Sequence, residues 1–148
     1  MRTLEIRSSG RLENTTVHLN GEQIVGVREL FLNLKEDGTF DNWITYESTS
    51  NEILSKELFR EYLADLNVNA EGFAAAGASL VFESDGNIDG TTIWRNEQRL
   101  DGLVEIFVYL RNVKTGWFKW RRDGQEDEFR AEAQFRNQDG SINGETIF

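Results

Sequence analysis

Apolar and polar residues alternate over many short segments of this chain, as they do in strands that have one face in a core and the other in water. The clearest example is 128–136, where two Phe and two Ala residues alternate with charged or amide side chains. Residues 103–110 differ, because both parities carry apolar side chains. This second pattern predicts a central strand that is covered on both faces.

Turn residues connect these segments. Residues 116–122 predict a further strand, with turn sequences before it at 112–116 and after it at Asp123-Gly124. The segment 102–136 is therefore expected to form a three-stranded antiparallel meander. In the first half of the chain, the same reasoning predicts strands at 3–7, 15–20, 23–34 and 39–47.

One segment has helical spacing. Apolar residues recur three or four positions apart between Asn51 and Leu66, which predicts an amphipathic helix over about 51–66. Thr49, followed three residues later by Glu52, has the pattern of a capping box. The helix is expected to pack across one sheet or to plug the open end of a barrel.

The predicted fold class is mainly β (α+β), with antiparallel meanders curled into a barrel or sandwich and one packed helix. At 148 residues the chain has the usual length of one domain, so 1–148 is expected to be a single domain. It contains no proline and thirteen glycines, and turns must therefore come from Gly, Asn and Asp, as in a protein rich in hairpins.

Composition narrows the function classes. The formal charge of −10 opposes binding to duplex nucleic acid and to anionic membranes. Without cysteine there is no disulfide, thiolate nucleophile or cysteine metal site. No apolar run is long enough to span a membrane, and charges near Met1 do not suit a signal peptide, so a cytoplasmic location is expected. No cofactor is predicted, and the only histidine, His18, has no nucleophile or metal partner spaced around it.

A ten-residue phrase occurs twice, at 85–94 and at 139–148, with six identical positions. Asp85, Asn87 and Asp89 match the alternating ligands of a calcium loop, but the bidentate glutamate is missing at the twelfth position. The alternative is that Asp, Asn and Gly are present because hairpin turns need them, and we favour this interpretation. The phrase, which follows an apolar strand and leads into Thr-x-aromatic, is similar to hairpins of lipocalin-like barrels that bind small molecules.

A basic and aromatic segment at 111–122 contrasts with the acidic remainder of the chain. Trp117, Trp120, Arg121 and Arg122 suit stacking on single-stranded nucleic acid or a hot spot for a protein partner. The alternative is that the cations pair across strands with acidic residues while the rings fill the core. The cross-strand interpretation is favoured, because such pairing is common in antiparallel meanders.

Two functions remain open. The first is a non-enzymatic binding or interaction module, whose partner is an unknown protein or small molecule. The second is a small-molecule carrier or an enzyme that uses the interior of a lipocalin-like barrel, with Glu105 and Tyr109 beside the two tryptophans as pocket residues. The candidate binding residues are therefore Glu105, Tyr109, Trp117, Trp120, Arg121 and Arg122, with no catalytic residue assigned.

Overall fold

A computed structural model describes residues 1–112 and 127–148 of the chain, and its secondary structure there is almost entirely strand. The strands are, in chain order, β1 (Arg2–Ser8), β2 (Thr15–Leu19), β3 (Glu22–Val25), β4 (Val27–Lys35), β5 (Phe40–Glu47), β6 (Ile53–Glu57), β7 (Asn67–Asn69), β8 (Ala78–Ser84), β9 (Thr91–Arg95), β10 (Gln98–Arg99), β11 (Leu103–Arg111), β12 (Glu128–Arg136) and β13 (Ile142–Thr146). Short 3₁₀ turns at Leu12–Asn14 and Ile88–Gly90 precede β2 and β9.

The strands form two antiparallel sheets. Sheet A has seven strands in the order β10-β9-β8-β1-β2-β3-β7, and sheet B has six in the order β13-β12-β11-β4-β5-β6. Among the described residues neither sheet closes on itself, so the barrel, one of the two predicted arrangements, is wrong. The predicted antiparallel, mainly β class is confirmed.

The core lies between the inner faces of the two sheets. Alternate residues of the central strands are fully buried there, for example Leu4 and Phe82 in sheet A and Leu32 and Val108 in sheet B. These residues belong to one hydrophobic cluster. Because side chains alternate between the faces of a strand, the residues between them point away from this core.

The predicted helix over 51–66 is wrong. Its first part is β6, the edge strand of sheet B, and turns follow β6. At the position of the predicted capping box, the Ser48 Oγ accepts hydrogen bonds from the N–H groups of Ser50 at 3.3 Å and Glu52 at 3.2 Å, and these bonds stabilise a turn before β6. The apolar residues of this segment do not form one continuous buried face. Leu58, Phe59, Leu63 and Leu66 are buried against the core, whereas Ile53 and Tyr62 are exposed.

The structure confirms strands where they were predicted at 3–7, 15–20, 39–47, 103–110 and 128–136. Two of the predicted arrangements differ. The predicted segment 23–34 is two strands, β3 and β4, separated at Gly26, which has a φ of +78°. The strand 103–110 is central in sheet B, as predicted. The predicted three-stranded meander is wrong, because β11 and β12 pair directly with each other and no strand lies between them in the sheet. The strand predicted at 116–122 lies outside the described residues.

The chain contains an internal duplication with an offset of 76 residues. Residues 3–36 align with 79–112 without a gap, and ten of these 34 positions are identical. The identical pairs are Leu4/Leu80, Ser8/Ser84, Gly10/Gly86, Thr15/Thr91, Thr16/Thr92, Asn20/Asn96, Gly26/Gly102, Glu29/Glu105, Phe31/Phe107 and Leu34/Leu110. The two segments also form corresponding strands, which shows that the repeat is structural.

The corresponding turns have the same hydrogen bonds. In the first copy the Ser8 Oγ lies 2.7 Å from the Thr15 Oγ1 and accepts the Gly10 N–H at 2.9 Å. In the second copy Ser84 makes the same two contacts, with Thr91 at 2.7 Å and Gly86 at 2.9 Å. These buried serines satisfy backbone and hydroxyl groups that would otherwise lose hydrogen bonds on burial.

The two copies are related by an approximate twofold axis through both sheets. In sheet A the equivalent residues Glu5 and Val81 are cross-strand partners, and in sheet B the equivalent residues Leu32 and Val108 are partners. A pair of equivalent residues can lie opposite each other only at a symmetry axis. The axis therefore passes between β1 and β8 and between β4 and β11.

No helix among the described residues has the length and apolar character needed to cross a membrane.

Candidate functional site

The predicted site residues Glu105 and Tyr109 lie on β11, at alternate positions from the buried Ile106 and Val108. Both therefore face outward from sheet B, and the barrel-interior position predicted for them is not the one observed. The buried side chains of the hydrophobic cluster lie between the two sheets. The other predicted binding residues, Trp117, Trp120, Arg121 and Arg122, lie outside the described residues.

Four aromatic residues form the centre of this outer surface. The Phe31 ring contacts the Phe107 ring edge to face at a centroid distance of 5.7 Å and the Tyr109 ring at 6.3 Å. Trp43, on β5, is the cross-strand partner of Phe31 and is 47% exposed. We call Phe31, Trp43, Phe107 and Tyr109 the aromatic face. Large rings that lie outside the core are unusual enough to need an explanation.

Hydrogen bonds from the opposite copy of the repeat hold two equivalent carboxylates beside the aromatic face. The Tyr109 hydroxyl donates to the Glu29 Oε2 at 2.9 Å. The Asn33 Nδ2 donates to the Glu105 Oε2 at 2.9 Å, and the Lys35 Nζ lies 3.7 Å from the same oxygen. Glu105 thus has both a donor and a cation beside it, which fits its position on a half-buried strand.

Arginines complete the surface on the side of β12. The Arg130 guanidinium lies over the Phe107 ring at 5.5 Å, and the Arg111 guanidinium lies over the Tyr109 ring at 5.8 Å. Arg130 is also within 3.2 Å of Glu132, and Arg111 is within 3.7 Å of Glu128. The Arg111–Glu128 contact is a cross-strand pair of a cation with an acid, as predicted for Arg111. The other cations of the basic segment, Lys114, Lys119, Arg121 and Arg122, lie outside the described residues.

Burial raises the pKa of the Tyr109 hydroxyl, and the hydrogen bond to Glu29 and the negative charge of Glu29 raise it further. A tyrosine with a raised pKa favours the folded state below its ordinary pKa of about 10. That contribution is lost as the pH rises through the raised pKa, because the unfolded chain releases its proton first.

The Glu29→Gln variant should lower the pKa of Tyr109, because it removes the charge that opposes ionisation while keeping an amide oxygen as acceptor. The chemical shift of the ring carbon bonded to the hydroxyl, followed by NMR against pH, measures this pKa. Tyr109→Phe assigns the signal, and Glu52→Gln is a control away from the site. An unchanged pKa in Glu29→Gln would show that burial alone accounts for the shift.

The calcium-loop candidate forms a turn. The Asp85 Oδ1 accepts the N–H of Asn87 at 2.8 Å, and the Asn87 Oδ1 accepts a hydrogen bond from Arg60. In the second copy of the phrase, the Asp139 Oδ1 accepts the N–H of Ser141 at 2.9 Å. Beyond this shared turn the copies differ, since Ile88–Gly90 is a 3₁₀ turn and Ile142–Thr146 is β13.

Asp89, the third residue of the candidate, lies within the 3₁₀ turn. The described part of the chain contains no group of three or more His, Asp or Glu side chains that could hold a metal ion. His18 lies on the outer face of sheet A, where its cross-strand neighbours are Glu5 and Gln23.

The sequence reasoning missed Phe31, Trp43 and Phe107. A signal was present, because Glu29-x-Phe31 recurs as Glu105-x-Phe107 at the offset of 76.

Comparison of this chain with family models, with curated proteins and with solved structures finds no match.

Proposed function

We propose that the protein is a non-enzymatic interaction module that binds a protein partner through the aromatic face of sheet B. The observation that carries this proposal is the placement of four aromatic rings on the outer side of a sheet whose inner side already supplies the core. Aromatic residues and arginine are the types that dominate the energetic centres of protein interfaces.

The polar groups around the rings support recognition better than chemistry. The Glu29 and Glu105 carboxylates each accept a hydrogen bond from the neighbouring strand. Arg111 and Arg130 lie over rings and beside acids. Such contacts fix the orientation of the side chains before a partner arrives, which reduces the entropy lost on binding.

Affinity capture from an extract of the native host tests the proposal. Wild-type protein and the Trp43→Ala variant are compared by quantitative mass spectrometry of the proteins that each retains. Removal of an interface hot spot weakens binding by about 2 kcal/mol or more, so a true partner should be depleted at least about tenfold by Trp43→Ala.

The matched control is Tyr62→Ala, which removes a ring that is 76% exposed and lies outside the aromatic face. It should retain the same partner as the wild-type protein. If Trp43→Ala and Tyr62→Ala retain the same proteins in the same amounts as the wild type, the aromatic face is not the binding surface and the proposal fails.

A further inference from the structure

Two of the identical pairs of the repeat lie on the outer surface of the protein, outside the turns and the core. Most of the ten identical pairs lie in turns or in the core, where backbone conformation or packing explains them. Glu29/Glu105 and Phe31/Phe107 lie instead on the outer face of sheet B, on the two strands that flank the approximate twofold axis.

Charges of alternating sign surround the aromatic centre of these two strands. At one end Glu29 lies across from Arg111, and at the other end Lys35 lies across from Glu105. Because β4 and β11 are antiparallel, each strand carries an acid at one end and a base at the other. We call Glu29, Arg111, Lys35 and Glu105 the corner charges.

This arrangement is complementary to itself. A second copy can be turned over about an axis that lies in the plane of the interface, perpendicular to the strands. The rotation exchanges the two ends of every strand, so Glu29 of one copy lies opposite Lys35 of the other, and Arg111 lies opposite Glu105. On β12 the same rotation sets Arg130 opposite Glu132, which are consecutive outer residues of that strand.

The local charge also permits a second copy despite the formal charge of −10 on each chain. The outer positions of β4, β11 and β12 hold equal numbers of acids and bases. The acids are Glu29, Glu105, Glu128 and Glu132, and the bases are Lys35, Arg111, Arg130 and Arg136. To these β5 adds Asp41 and Glu47, the second of which pairs with Arg28. Opposite charges that face each other steer association and fix its register.

We infer that the aromatic face is the contact surface of a homodimer, in which sheet B of one copy packs on sheet B of a second copy about this axis. This dimer rests on the proposed function, and the protein partner is then a second copy of the same chain. The four strands β12, β11, β4 and β5, about 4.8 Å apart and roughly nine residues long, cover on the order of 500 Å² per copy. A pair that buries on the order of 1,000 Å² is at the small end of specific interfaces, so the dimer should be weak, with a Kd in the micromolar range.

Sedimentation velocity of the full chain between about 1 and 500 µM tests the inference. The wild-type sedimentation coefficient should rise from the monomer value to the dimer value over this range. The double variant Lys35→Glu/Glu105→Lys keeps a pair of opposite charges across β4 and β11 within one chain, but it places like charges opposite each other between copies. It should weaken dimerisation at least tenfold.

A rescue variant distinguishes the interface from a damaged fold. Adding Glu29→Arg and Arg111→Glu to the double variant reverses all four corner charges and restores their complementarity between copies, so dimerisation should return to within about threefold of wild type. Tyr62→Ala should dimerise like the wild type. Circular dichroism and thermal melting of each variant verify that it is folded.

Two results would overturn the inference: a wild-type protein that stays monomeric to 500 µM, or a dimer that the double variant does not weaken. The first result leaves the proposed function standing if a different protein is captured by the wild type and lost by Trp43→Ala. If no protein depends on Trp43 and no dimer forms, both proposals fail.

Discussion

Gly77→Ala is expected to destabilise the protein by about 3 kcal/mol or more. Gly77 has a φ of +118°, and a Cβ added there would lie 2.2 Å from the carbonyl oxygen of Ser8 and 2.6 Å from its carbonyl carbon. Backbone atoms of β1 cannot move aside as the end of a flexible side chain can, because Ser8 is the cross-strand partner of Ala78. The substitution therefore adds a clash to the strain of the left-handed backbone.

Gly38→Ala is the matched control, since Gly38 also has a positive φ, +100°, but an added Cβ would meet nothing within 4 Å. Strain without a clash should cost about 1–2 kcal/mol. Urea unfolding of both variants gives the two free energies. Equal losses in Gly77→Ala and Gly38→Ala would show that β1 and the 70–77 segment do not approach as closely as the structure indicates.

The pattern of alternation predicted the long strands β1, β4, β5, β11 and β12 well because each of them has one face in the core. The residues of β12 illustrate this, since Ala131 and Ala133 are buried while Arg130 and Glu132 face solvent. Alternation specifies which face of a strand is buried, but it does not specify which strand lies beside it. The pairing of β11 with β12 therefore could not be obtained from the pattern alone.

The predicted helix failed because tertiary contacts outweigh local spacing. Leu58 and Phe59 are held by hydrogen bonds from their N–H groups to the Asn42 backbone oxygen at 2.8 Å and to the Asn42 Oδ1 at 3.1 Å. Asn42 is a buried residue of β5. These contacts connect residues far apart in the sequence, and the periodicity of 51–66 contains no information about them.

The internal duplication was detectable in the sequence, but only by comparing turn residues at a fixed offset. Gly10, Asn20 and Gly26 recur as Gly86, Asn96 and Gly102, and all six have a positive φ in the structure. Positions that need such a backbone conformation accept few residue types. They therefore stay alike while the strands between them diverge.

The candidate site was predicted in part. Glu105 and Tyr109 were identified, but the apolar residues at both parities of 103–110 suggested that both faces of the strand were covered. In the structure, Phe107 and Tyr109 supply the second apolar face, and this face is the outer one. Alternation cannot distinguish an aromatic surface from a second buried layer, because both place apolar side chains on the same parity.

Tyr46→Ala is expected to destabilise the protein by about 3–5 kcal/mol, because it removes a large side chain from a closely packed core. Tyr46 is 0% exposed. Its hydroxyl donates to the Asp65 Oδ1 at 2.5 Å, and the Lys56 Nζ lies 3.6 Å from the same carboxylate oxygen. The ring and the hydroxyl together fix the turns after β6 against sheet B.

Tyr46→Phe separates the two contributions, since it keeps the ring and removes only the hydrogen bond to Asp65. A loss of about 1.5–3 kcal/mol is expected, because a hydrogen bond to a charged acceptor contributes about that much. That hydrogen bond lowers the pKa of Asp65. A lowered pKa stabilises the folded state above the ordinary pKa of an aspartate, about 3.9, and this contribution disappears as the pH falls through the lowered value.

The difference in unfolding free energy between wild type and Tyr46→Phe should therefore be larger at pH 7 than at pH 2.5, and urea unfolding at both pH values measures it. Tyr62→Ala, which removes an exposed ring, should change the unfolding free energy by less than about 0.5 kcal/mol. A Tyr46→Phe loss as large as that of Tyr46→Ala would mean that the hydroxyl contact dominates. A difference independent of pH would show that the Asp65 charge does not contribute through Tyr46.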